Sequence, residues 1–384
     1  CNSKAVRPFQ FSTTLYNAFR RKPRGAFVCQ FEGMDEPTAV AYGMDGTVQL
    51  WDPQTRQPIQ ALDSADLGVD FTEHLVQVTP SLLAAVTGAR STRKSPKNDG
   101  RLMFFGQRPP PGRLDAARLG SPQLWPAAPQ DEPLSVVEGM MGGRADRGPG
   151  RGMMVTANAR DRKVLIWSLQ TSGSRVTEAN VVHRMSTDHG SRVTALCYDP
   201  RHARVLSGSE SGRFYVNDAE TGKSASACSE DRVPGCVIGQ IIMCPTSPHL
   251  AMLSCAQTDK QLRIMDLRQR QSVSWPALTL GVSTEGTQSR YQRPAWHPDG
   301  GLVFYPLRPG ASDTPGDGPV AIWDTRYARC AAEAPQTYQV HKSGVWSASL
   351  VSQRGTGKCT MITVGGDHCI GFTDLRVEPM AGYR

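Results

Sequence analysis

The chain has 384 residues, of which 39 % are hydrophobic and 20 % charged, with 37 glycines, 28 prolines and a formal charge of +8. That apolar fraction is low for a packed enzyme but enough for many short strands whose alternate residues face outward. No run reaches the roughly 18 apolar residues of a membrane span, and the charge favours acidic partners: nucleic acid, an acidic protein face or anionic lipid.

One pattern organises the chain: an Asp-type residue, five positions of alternating strand, then an aromatic or its substitute. The first position is Asp45, Asp99, Asp161, Ser211, Asp259, Asp317 and Asp367, and the sixth residue after each is Trp51, Phe105, Trp167, Asn217, Met265, Trp323 and Thr373. Spacings of 48 to 62 residues between copies mark a repeat architecture. In chain order, the first unit reads as strands AFVCQF (26–31), TAVAYG (38–43), TVQLWD (47–52) and PIQAL (58–62). The second is degenerate, with LVQVTP, LLAAVTGA and RLMFFG and a basic insertion between the last two. The third uses LSVVEGMM, MMVTANA and KVLIWSL. The fourth is regular, with RVTALCYDP, RVLSGSESG, RFYVNDAETG and SASACS. The fifth reads VIGQIIMCP, LAMLSCAQTD, QLRIMDLR and SVSW. The sixth reads RPAWHPDG, LVFYPLR, VAIWDTR and CAAEAP, with the insertion PGASDTPGDG. The seventh has VWSASLVS, TMITVGGD and CIGFTDLR, and the chain ends within eight residues of it. It therefore lacks an outermost strand, and RPFQFSTTLY (7–16) has the composition to supply one.

These repeats resemble the WD-repeat β-propeller family over about residues 26–376. The resemblance implies an all-β fold: a single seven-bladed β-propeller of four-stranded antiparallel blades, its ring closed by the N-terminal strand. Residues 1–25 are expected to form a basic arm containing that strand, 26–376 the propeller with a Pro-rich connector at 107–133, and 377–384 a tail. The repeat signature maps onto Asp45, Trp51, Asp161, Trp167, Asp259, Asp317, Trp323, His341 and Asp367. In the family, a His before the blade, a Ser or Thr on a strand, the turn Asp and the strand Trp form a buried hydrogen-bond network. The seventh blade offers His341, Thr363 and Asp367 for it. The fourth offers His189 and Ser207, but Ser211 and Asn217 replace the Asp and Trp.

Catalytic motifs are missing: there is no GxSxG elbow, Walker loop, HExxH or strand-following GxGxxG. The expectation is a noncatalytic scaffold for protein–protein interaction, a subunit of a larger assembly with no cofactor, metal or small-molecule substrate. Blades five, six and seven end in Asp-x-Arg, with Arg268, Arg326 and Arg376. Such endings resemble substrate receptors of cullin–RING ubiquitin ligases, in which these arginines would meet the adaptor. The within-blade Asp–Arg pair is the competing reading. Nucleic acid or an acidic partner is a further expectation, through Arg20, Arg21, Lys22 and Arg24 of the arm and Arg93, Lys94 and Lys97 of the insertion. In the connector, Trp125 reads as the anchor of a surface loop in preference to Pro126–Pro129 serving a proline-reading domain. The ten cysteines form no C-x₂₋₄-C pair and most sit in strand runs, which predicts buried free thiols and an intracellular, reducing compartment: nucleus or cytoplasm first, with another organelle left open. Because the chain begins at Cys1 and not Met, a preceding segment is expected.

Overall fold

The computed structural model describes residues 10–63, 71–88, 100–108, 118–125, 133–142, 150–224, 236–268, 276–308, 318–325, 335–352 and 358–376. Its regular elements are all strands, grouped into seven antiparallel sheets. In the first blade, β2 (Pro23–Cys29), β3 (Thr38–Gly43), β4 (Val48–Trp51) and β5 (Pro58–Leu62) lie in that order. Every residue of β3 and β4 is buried, whereas β5 is half exposed. A middle strand has a neighbouring blade on both faces, so its sequence is a near-continuous apolar run; the rim strand needs only alternation.

The repeat's first residue has a physical post at the turn between a blade's second and third strands. Asp45 Oδ1 accepts the Thr47 amide at 3.1 Å, Asp161 Oδ1 that of Lys163 at 3.1 Å, and Asp367 Oδ1 that of Cys369 at 3.2 Å. The residue after this position takes a left-handed φ: 84° at Gly46, 59° at Arg162, 79° at Gly212 and 67° at His368. The carboxylate organises a turn whose next residue is strained unless it is glycine.

The second blade holds β6 (Phe71–Thr79), β7 (Leu82–Gly88) and β8 (Arg101–Arg108). Two short strands, β9 (Arg118–Leu119) and β10 (Gln123–Leu124), both pair with β8 at the rim. Trp125, expected to anchor the connector, packs edge-on against Phe104 at 6.1 Å between ring centres; Pro126–Pro129 lies outside the described residues. The third blade has β11 (Leu134–Gly139), β12 (Arg151–Asn158), β13 (Val164–Ser172) and an unanticipated fourth strand, β14 (Arg175–Arg184). As a rim strand, β14 buries Val176 fully and only alternate residues from Ala179 to His183 in part, and has no apolar run to betray it.

The fourth blade is β15 (Val193–Asp199), β16 (Arg204–Ser209) and β17 (Phe214–Asp218), with Ser224 bridging Asn217 where the fourth strand was expected; 225–235 lie outside the described residues. The fifth contains β18 (Ile238–Met243), β19 (Leu250–Cys255), β20 (Leu262–Asp266) and β21 (Leu278–Leu280). The sixth contains β22 (Ala295–Trp296), β23 (Leu302–Pro306), β24 (Gly318–Asp324) and β25 (Gln336–His341). The rim partner of β20 is β21 and that of β24 is β25; SVSW (272–275) and CAAEAP (330–335), read from sequence as rim strands, lie outside the described residues but for the last position. Rim strands are chosen by their fit to the strand inside them, and several weakly apolar segments qualify by composition alone.

In the seventh blade, β26 (Val345–Ser352), β27 (Cys359–Gly365) and β28 (Cys369–Arg376) are completed by β1 (Gln10–Asn17). The register runs without a break from Gln10 opposite Arg376 to Asn17 opposite Cys369. Thr373, which replaces the repeat's Trp, bonds Thr13 of the closing strand, Oγ1 to Oγ1, at 2.8 Å. Seven apolar clusters form the core, and each draws on two adjacent blades. The cluster of Trp51, Ala39, Phe372 and Ile362 joins blade seven to blade one, so the ring is sealed by packing as well as by hydrogen bonds. Among the described residues, the free cysteines are buried except Cys369, which is half-buried.

Candidate interaction surfaces

Four antiparallel strands return the chain to the side of the disc on which a blade began. The links into each blade and the turns between second and third strands therefore share one side, the leading face. Backbone bonds tie them together: Met44 N to Lys22 O at 3.0 Å, Glu210 N to Arg192 O at 2.9 Å, and Gly366 N to Gly344 O at 2.8 Å. The remaining turns share the trailing face, tied by Ala219 N to Ala203 O at 2.7 Å and Leu267 N to His249 O at 2.8 Å.

The Asp-x-Arg endings belong to the trailing face. Arg268 donates from Nε to Asp266 Oδ1 at 3.0 Å and from Nη2 to Oδ2 at 2.7 Å. This fork, helped by the Arg268 amide, holds the Asp266 carboxyl below its ordinary pKa, while 62 % of the Arg268 side chain stays exposed. Blade seven is wired differently. Asp374 accepts from Thr360 at 3.1 Å and from Arg56 of blade one, and Arg56 also bonds Thr14 of β1 at 2.9 Å. Arg56 thus clasps the ring's seam. Arg376 is fixed here by its backbone pairing with Gln10; Arg326 lies outside the described residues.

On the leading face, His341 joins Asp367 at Nδ1 (2.9 Å) and Thr363 at Nε2 (2.9 Å). Burial pushes the Asp367 carboxyl up, but His341 and the amides of Lys342 and Cys369 outweigh it and hold the pKa below the usual range. His189 bonds Ser207 through Nε2 at 2.8 Å and stacks edge-on against Tyr215, with centres 4.5 Å apart. Its Nδ1 has no partner. Burial, with the nearby Arg213, pushes its pKa down to about 3. Trp167 Nε1 donates to Thr156 Oγ1 at 2.8 Å, and Trp51 Nε1 to Gln49 Oε1 at 3.0 Å. Trp323 is buried between blades five and six, Asp259 is exposed, and Asp317 lies outside the described residues.

Arg20, Arg21 and Lys22 are exposed on this face; Arg93, Lys94 and Lys97 lie outside the described residues. Arg24, read from sequence with the basic arm, belongs instead to the centre of the ring. It bonds Glu73 at 2.7 Å and lies over the Tyr291 ring at 3.3 Å. Glu73 also faces Arg192 at 3.5 Å and Arg290 at 3.7 Å, and accepts from the Tyr291 hydroxyl at 3.1 Å. These residues come from blades two, one and four and from the link into blade six, and only at the hub can one carboxylate reach all of them. Burial pushes the Glu73 carboxyl up, but the three guanidiniums overcome this and keep it below its ordinary pKa. One faint sign of this cluster is legible in sequence: an ionisable pair, Glu73-His74, inside an otherwise largely apolar inner strand.

Residues 181–218 match the family WD domain, G-beta repeat. They run from within β14 through β17, so the repeat unit takes the rim strand of one blade and three strands of the next. That stagger laces neighbouring blades together, and at the ring's ends it requires the rim strand of blade seven to come from the N-terminal side. A comparison with curated proteins returns no match. With the matched repeat in blade four, the turn carboxylates in blades one, three and seven, and the ring closed by β1, the chain is a seven-bladed β-propeller that carries a WD repeat at residues 181–218.

Proposed function

We propose that the ring is a noncatalytic interaction platform, a subunit of a larger assembly that binds an acidic macromolecular partner on its leading face. The family generally serves as a protein-interaction scaffold, which supports the coarse reading. The observation that carries the finer one is the charge on that face. Among the described residues, Arg20, Arg21, Lys22, Arg160, Arg162 and Lys163 are exposed around blades one and three, Lys260 and Lys342 add to them, and the exposed acids there are Asp63, Asp188, Asp259 and Glu285. Rim charges of this kind steer association and set its salt dependence. The test is affinity purification of the intact chain beside two charge reversals, one at Arg20, Arg21 and Lys22 and one at Arg268. Loss of partners in the first alone is expected; equal recovery in both sinks the reading. Binding of an RNA probe over rising salt separates the ribonucleoprotein alternative, because phosphate contacts weaken steeply with salt and a flat response removes them.

A second reading is favoured by the exposure of Arg268 on the opposite face: a substrate receptor that meets a ubiquitin ligase adaptor through Arg268, Arg326 and Arg376. Reversing these three charges is then expected to abolish adaptor co-purification, and undiminished recovery of the adaptor excludes it.

A further inference from the structure

The hub holds more positive charge than its own acids balance. Arg24, Arg192, Arg290 and Arg293 stand against Glu73 and Glu210, which pair with them, and against Glu138 near Arg293, whose carboxyl burial pushes up to about 8 so that it stays protonated at neutral pH. The side chains of Arg24, Arg192 and Arg290 are only 11 %, 18 % and 22 % exposed. The Nε–H groups of Arg24 and Arg192 are buried without an acceptor, although a buried donor left unpaired is costly. Beside Arg192 lies a cavity of about 10 Å³, walled by Glu73, His74, Ser135, Arg290 and Arg293 among others.

We propose that this cavity binds a single monatomic anion of chloride size, held by the guanidiniums of Arg192, Arg290 and Arg293. Size and charge choose this occupant together. The space suits one water-sized body, which excludes phosphate or sulfate with their four oxygens. A water would satisfy the Arg192 Nε–H but leave the two excess charges uncompensated in a region largely screened from solvent. His74 has an unpartnered Nδ1. Burial, aided by Arg293 and Arg24, holds its pKa well below the ordinary value. The ring is therefore neutral and serves as wall, not as a ligand.

Crystals of the intact chain grown in bromide test the site directly. An anomalous peak among Arg192, Arg290 and Arg293 is the expected result, and water density without anomalous signal overturns the proposal. In solution, the melting temperature is compared in chloride, bromide and gluconate at equal ionic strength. A saturable rise with the halides is expected, lost in Arg192→Gln and kept in Arg268→Gln on the trailing face. Equal melting in the three salts refutes it. Should Arg192→Gln fail to fold, the bromide map of the unaltered chain decides alone. Neither measurement depends on a protein partner, so the hub site and the leading-face reading stand or fall separately.

Discussion

Blades seven and four receive the same kind of histidine in the same place, and the fold completes its hydrogen bonding in only one of them. His341 has Asp367 on one ring nitrogen and Thr363 on the other. His189 has Ser207 on one and nothing on the other, because Ser211 occupies the carboxylate's position, its hydroxyl paired with that of Ser209 and its amide donating to Ser191 Oγ. Blade seven also borrows its rim strand from the far end of the chain. Of the two, the blade at the seam thus has the fuller polar network. A ring that must close against chain entropy is most exposed to opening there, and buried polar networks fix geometry when every member is satisfied. Blade four, flanked by continuous chain, tolerates a half-finished version.

The comparison breaks most severely if β1 is removed. A chain lacking residues 1–17 leaves β28 as an unpaired edge and exposes Tyr16's packing site against Trp51 and Phe372. Loss of cooperative unfolding and the onset of self-association are expected, checked by calorimetry and size-exclusion chromatography. A sharp transition at the original temperature would show that the seam does not depend on that strand. Next in size, His341→Ala leaves Asp367 and Thr363 without their partner in the blade and is expected to cost about 3 kcal/mol. His189→Ala, losing one bond to Ser207, is expected to cost about 1 kcal/mol beyond its packing. Chemical denaturation of the two variants measures the difference, and equal losses would mean that the carboxylate adds nothing.

Acid separates the same two blades. The folded pKa of His189 is pushed down to about 3, below its unfolded value of about 6.5, so the unfolded chain takes up the proton first. The stability from keeping this ring neutral is full above about pH 6.5 and falls by up to about 1.4 kcal/mol per unit as pH drops towards 3. Asp367, also depressed, contributes above the unfolded carboxyl value of about 4 and loses its contribution as pH falls through its lower folded value. Denaturation midpoints between pH 8 and 3 should fall from about 6.5 downward in the unaltered chain and more shallowly in a His189→Gln variant; parallel curves would refute the assignment. Ser211→Asp sharpens the comparison in the other direction. It places a carboxylate where Asp367 stands in blade seven, with an expected gain of about 1 kcal/mol at neutral pH and a shallower acid slope. The smallest effect is at the trailing face, where Arg268→Ala should leave the melting temperature unchanged, its fork to Asp266 being open to water.

What the sequence determined by itself was whatever local chemistry dictates. The turn positions at Asp45, Asp161, Ser211, Asp259 and Asp367, the buried middle strands and the missing rim strand of blade seven were legible, because Asp at a tight turn and apolar runs in doubly covered strands are conditions a blade imposes within fifty or so residues of itself. Rim strands were less legible: β14, β21 and β25 answer only to one neighbour and can be amphipathic or short. Tertiary structure alone decided which charges meet. Arg56 finds Asp374 across the seam, 318 residues away. Arg24, to all appearance part of a basic arm, turns inward to Glu73 and Tyr291. The hub joins side chains from four parts of the ring, each set by a different blade. No spacing rule links such residues, because the distances that matter across the hub are fixed only when seven blades close.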